Sequence, residues 1–169
     1  MKLTKILSII LLVLVTFSCS KDDDGSNAYN FNKDNLTGTY SVNYFQSKEV
    51  KTQDVNGFNV TTTTTSTGDT FDVTSNFDSN DVRTINGTYR VKEVKTQGDQ
   101  TGETAYIVVL NNEKKSYSVN ASTSELTIGN KTYKVTGFSR TGFKINMTKS
   151  TTANNGDTTV YTEEWGFKK

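Results

Sequence analysis

From residue 36 onward, apolar residues alternate with Thr, Ser, Lys and Asn at a period of two, and this pattern removes most folds from consideration. On an extended chain successive side chains point to opposite faces, so the alternation describes strands buried on one side. Tyr40, Val42 and Tyr44 share a face, as do Phe58 and Val60, Phe71 and Val73, and Tyr89 and Val91. The series continues with Tyr117 and Val119, Leu126 and Ile128, Tyr133 and Val135, then Phe143, Ile145 and Met147, and closes with Tyr161, Trp165 and Phe167. No stretch shows helical spacing. Between the runs stand Asn56-Gly57, Gly68-Asp69, Asn86-Gly87, Asn111-Asn112, Gly129-Asn130, Thr141-Gly142 and Asn155-Gly156, each offering a residue tolerant of positive φ. The fold class predicted is all-β, an antiparallel up-and-down meander of about eight to ten strands, because connections this short favour a meander over long crossovers. A meander closes naturally into a barrel, which removes exposed strand edges. A flattened two-sheet sandwich built from the same strands is the alternative.

Two stretches depart from simple alternation. Tyr106-Ile107-Val108-Val109-Leu110 is apolar on both faces, so its outer side needs a cover, and the segment holding Tyr29 and Phe31 is the expected one. Thr61 to Thr65 form an unbroken threonine run that suits a strand by β-branching yet does not say which face is inside. A low-complexity loop is the competing reading.

The first residues bear on compartment. Lys2 and Lys5 precede an apolar run of twelve residues from Ile6 to Phe17. A spanning helix needs about 20, so the run reads as the hydrophobic part of a signal peptide. It ends at Thr16-Phe17-Ser18-Cys19, which resembles a lipobox, with Val15 and Leu14 just before it. That resemblance implies diacylglyceryl modification of the Cys19 thiol, then cleavage and acylation of the freed amine, giving the several chains (palmitate among them) that stable anchoring requires. Cys19 is the only cysteine, so no disulfide can form within the chain. Beyond it, Ser20, Lys21, Asp22, Asp23 and Asp24 form a charged tether resembling the surface-export tag of lipoproteins in the Bacteroidetes phylum. Adjacent aspartates diverge on an extended chain, which argues against a calcium site. The predicted organisation is a signal peptide over 1–18, an anchor and tether over 19–34, and one barrel domain over 35–169. The location implied is a lipid-anchored position on the outer membrane, facing the cell surface.

The segment Asn35-Leu36-Thr37-Gly38-Thr39-Tyr40 resembles the opening of lipocalin-like domains, where a turn of helix leads through Leu-x-Gly-x-Trp into the first strand. Tyr40 stands where that family usually has Trp. The later strands, and the close at Glu164-Trp165-Gly166-Phe167, are also similar to that family's second half. The resemblance implies a small barrel with an internal cavity for an apolar or amphipathic ligand. Lipocalins place a basic residue over the Trp near the end of the barrel; here only Lys168 or Lys169 has the right position. Tyr40, Phe143 and Trp165 are the expected lining of such a cavity.

The chain has no histidine, and its lone cysteine is the anchor, so Ser-His-Asp and Cys-His nucleophiles and His/Cys zinc sites are excluded. No enzyme activity, metal or cofactor is predicted. With Lys2 and Lys5 removed, 17 basic residues remain against 18 acidic ones, a formal balance of −1 that argues against nucleic acid as a partner. Glu163 and Glu164 are adjacent and point to opposite faces of a strand. Glu163 shares its face with Tyr161, Trp165 and Phe167, so an inward setting makes it a polar anchor in the cavity that must find partners or shift its pKa upward. Asp157-Thr158-Thr159 resembles the O-glycosylation acceptor of the same phylum, at Thr158. The function expected is capture of a small hydrophobic or amphipathic ligand at the cell surface. The alternative is an accessory interaction subunit of an outer-membrane complex.

Overall fold

The computed structural model describes residues 29–169; the expected signal peptide, Cys19 and the expected tag at Ser20–Asp24 lie outside the described residues. Eight antiparallel strands follow one another as a meander and close into a barrel in the order of the chain. They are β1 (Gly38–Val55), β2 (Phe58–Phe77), β3 (Val82–Gln97), β4 (Gln100–Asn120), β5 (Glu125–Ile128), β6 (Lys131–Ser139), β7 (Gly142–Thr152) and β8 (Thr158–Lys168). Closure is made between β8 and β1, with Phe167 opposite Val42 and Trp165 opposite Phe45. A single helical turn, α1 (Lys33–Leu36), precedes β1; the Asn32 side chain caps it by accepting from the Asn35 amide at 2.8 Å.

The strands are unequal, and this shapes the molecule. β2 has 20 residues and β4 has 21, whereas β5 has four. At about 3.3 Å per residue, β2 is roughly 65 Å long. β5 meets β4 only from Tyr117 to Asn120, and β6 meets β7 only from Gly142 to Asn146. Below the β5–β6 turn all eight strands form the wall. Above it the wall continues as a six-stranded sheet, and a notch separates the free edges of β4 and β7.

The base is filled by rings. Tyr40, Phe77, Phe143 and Phe167 are buried and mutually packed: Tyr40 meets Phe143 edge-on at 5.1 Å, and Phe143 stacks on Phe167 at 4.7 Å. Each such pair adds about 0.5–1.5 kcal/mol beyond its area burial. Leu36 is fully buried, and the Tyr40 hydroxyl donates to its carbonyl at 2.9 Å, tying α1 across the base. Lys169 Nζ sits 5.3 Å from the Tyr40 ring centroid.

Several expectations need correction. Tyr44 does not follow Tyr40 and Val42 inward: a bulge between Val42 and Tyr44 turns Phe45 into the core and Tyr44 outward, under Lys144. Gly166 makes room, because a Cβ there would stand 2.8 Å from the Tyr44 Cβ. Gly68-Asp69, Asn86-Gly87 and Asn111-Asn112 are not turns. They lie inside long strands, where Thr70, Gly87 and Asn112 take positive φ at or beside bulges that bend the ladder. At Gly87 a Cβ would fall 1.9 Å from the Asp72 carbonyl oxygen, so close strand approach demands glycine there. The turns that break the chain instead include Ser79–Asp81, Gly98-Asp99 and Ala121–Ser124. Thr61 to Thr65 are strand, with register set by neighbours such as Lys48 and Val94 opposite Thr65. Tyr29 and Phe31 do not cover β4; both pack on Phe138, at 5.3 and 5.2 Å, and Phe31 joins the core although it falls in the expected tether. Tyr106, Ile107 and Val109 are left 47%, 60% and 56% exposed.

Candidate functional site

Immediately above the aromatic plug, where the short β5–β6 hairpin ends, the barrel interior holds a recess of about 220 Å³. Its walls come from β1 (Phe45), β3 (Ile85, Tyr89), β4 (Leu110, Glu113, Lys115), the β5–β6 hairpin (Ile128, Lys131, Tyr133) and β8 (Glu163, Trp165), with Arg83 among the lining residues. Period-two alternation accounts for most of these: residues 83, 85, 89 and 91 of β3 point inward together, as do 131, 133 and 135 of β6 and 163, 165 and 167 of β8. The bulge near Asn112 switches the inward set of β4 from Glu113 and Lys115 to Val108 and Leu110.

Glu163 is the polar centre. Its side chain is 5% exposed and accepts four hydrogen bonds, from Lys131 Nζ at 2.6 Å, Tyr161 at 2.6 Å, Tyr133 at 2.7 Å and Trp165 Nε1 at 2.7 Å. Burial alone would raise its pKa, but the bonds from Lys131, Tyr161, Trp165 and Tyr133 outweigh burial and hold the carboxyl below its ordinary value. The upward shift anticipated for an inward Glu163 is therefore not what the site produces, because four donors are in place. Burial, reinforced by the Glu163 charge and hydrogen bonds, raises the phenols of Tyr133 and Tyr161, so both remain neutral donors. Glu164 faces outward and pairs with Lys144 at 2.8 Å.

Arg83 is the second charged feature, and nothing in the sequence reading gave it a role. Its Nε donates to Ser75 Oγ at 2.9 Å, and its guanidinium carbon lies 5.9 Å from the ring centroids of both Phe77 and Phe167, on top of the plug. Among the described residues no carboxylate pairs with it, and its terminal nitrogens have no hydrogen-bond partner. Burial pulls its pKa down to about 10, against the upward influence of Tyr133, Glu113 and Glu163, so it stays charged at neutral pH. Alternation carried back from Tyr89 and Val91 through Ile85 was the available signal.

The structure divides the expected lining. Trp165 and Glu163 border the recess, whereas Tyr40 and Phe143 are packed into the plug beneath it and do not line it. Thr158 is exposed at the start of β8, next to Asp157, whose carboxylate accepts from Gln53 at 3.0 Å. No group of residues with metal-binding composition occurs among the described residues. No helix among them is long and apolar enough to cross a membrane. Compared with known protein families, with curated proteins and with solved structures, the chain matches none.

Proposed function

We propose that this protein is a lipid-anchored surface lipoprotein whose barrel binds a small amphipathic ligand in the recess above the aromatic plug. The observation that carries the reading is the recess itself: a space inside the barrel with aromatic and aliphatic walls and a few fixed polar groups, the usual make-up of a small-molecule site. Its volume, about 220 Å³, is below the usual range of drug-sized sites, and the plug closes its floor, so long-chain lipids are poor candidates. The preset donors around Glu163 support a site organised before the ligand arrives, which limits the ordering cost of binding. The test is native mass spectrometry of the full chain after gentle extraction from membranes. A bound small molecule lost on Trp165→Ala substitution supports the reading, and an empty barrel that takes up no amphipathic compound sinks it. For the anchor, incorporation of labelled palmitate that disappears in Cys19→Ala is expected.

A second reading, an accessory subunit of an outer-membrane complex, is favoured by one feature. The free edge of β4 carries Tyr106, Ile107 and Val109 exposed in an uncharged stretch, the kind of surface that strands of other chains join. Crosslinking in intact envelopes discriminates, since only this reading requires a stoichiometric protein partner along β4.

A further inference from the structure

We infer that the recess selects a small monocarboxylate, an aromatic or short aliphatic acid whose carboxylate lies on Arg83 at the floor while its apolar body rests against Phe45, Tyr89 and Trp165. This rests on the reading of the recess as a ligand site and adds the charge and orientation of the ligand.

The argument begins with the cost of Arg83. The Arg83 guanidinium is half-buried on aromatic rings with its terminal nitrogens open to the recess, and a partly desolvated charge of this kind is ordinarily paired. Two carboxylates face the recess and neither pairs with Arg83: Glu163 accepts from four other donors, and Glu113 acts on the guanidinium only through its charge. The lining carries three cations, Arg83, Lys115 and Lys131, against two carboxylates, Glu113 and Glu163, so the recess keeps one positive charge without an anion in it. Ser75 occupies Nε, which leaves the two terminal nitrogens as a planar fork. A fork of that kind matches the two coplanar oxygens of a carboxylate, and charge-assisted pairs of this geometry are roughly twice as strong as neutral hydrogen bonds.

Size and wall chemistry narrow the class. At about 30 Å³ per water, the recess has room for roughly seven waters, the scale of a single ring with a short side chain. Its walls favour an acid with an apolar body over a bare inorganic anion, because Phe45 and Tyr89 offer ring surface.

Trp165 is the only tryptophan in the chain and borders the recess, so its fluorescence reports occupancy directly. The experiment titrates the full chain in detergent with phenylacetate and, separately, with its neutral isostere phenylacetamide. Saturable change with phenylacetate, at an affinity at least tenfold above that of the amide, is expected. Arg83→Met should bring the acid down to the level of the amide, while Arg83→Lys keeps part of the preference. Equal affinity for acid and amide, or an acid preference that survives Arg83→Met, overturns the charge assignment and leaves the recess as a site. Silence of Trp165 with both compounds up to millimolar concentration overturns the assignment together with the site. Should Arg83→Met fail to fold, the acid-to-amide ratio on the unaltered protein still decides.

Discussion

The two ends of this barrel are built on different principles. At the base, eight strands surround rings that are almost wholly buried, Phe77 at 0% exposure among them, and the hydrophobic contribution is concentrated there. Toward the far end, six strands continue as ribbons of threonine and serine, with Thr62 to Thr65 half-buried and hydroxyls paired across strands, as between Thr52 and Thr61 at 3.0 Å. Such ribbons are held by the backbone ladder and by cross-strand pairs of modest strength, about 0.2–1 kcal/mol each. The difference locates the recess. A recess can persist at the level of Glu163 and Arg83 because the plug beneath it supplies the stability and the short β5–β6 hairpin leaves the wall incomplete above it.

The sharpest way to break this contrast is to empty the plug. Phe77 touches the rings of Tyr40, Tyr117, Phe143 and Phe167, so Phe77→Ala should cost about 3–5 kcal/mol in urea denaturation. Thr63→Ala in the ribbon should stay within about 0.5 kcal/mol of the parent. Comparable losses at the two positions would mean that the ribbons carry as much stability as the base.

The boundary between the regions is tested at Glu163. Glu163→Gln keeps the shape but turns an amide nitrogen toward donors that need an acceptor, at an expected cost of about 1–3 kcal/mol. The charge also predicts a pH dependence. Because the folded-state pKa lies below the ordinary value of 4.5, the carboxylate's contribution is complete above that value and is lost as pH falls from there through the folded pKa. Thermal melts of the parent should therefore weaken in that acid window more steeply than those of Glu163→Gln. Parallel curves would show that the four donors do not hold the charged form.

Strand character and the inward face of most strands are legible in the sequence, because period two is a direct trace of one buried side: Tyr133 with Val135, and Phe143 with Ile145, needed nothing else. The same parity put Glu163 on the face of Trp165 and Phe167, and the closed wall turns that face inward. Illegible was the use made of glycine and asparagine. Gly87 and Asn112 carry the positive φ that a turn needs, but bulges need it as well, and only the facing strand decides between them. The bulge at Val42 and Tyr44 likewise exchanged an expected inward tyrosine for Phe45, since one extra residue inverts the parity of everything on its far side. Parity could put Glu163 on the face of Trp165 and Phe167 but could not reveal its four donors, two from β6 and two from β8 itself.

The smallest effect is expected where the contrast is most exposed, on the outer face of β4. Ile107 is 60% exposed and opposite Arg90, so Ile107→Thr removes little buried area and retains a β-branched side chain suited to the strand. Its stability should lie within about 0.5 kcal/mol of the parent. The same substitution should leave phenylacetate binding unchanged, because Ile107 is not among the residues lining the recess. A loss above about 1 kcal/mol would mean that this face is covered in solution. The β4 edge would then be part of an assembled surface, and the ribbons would draw stability from a neighbour as the base draws it from its own rings.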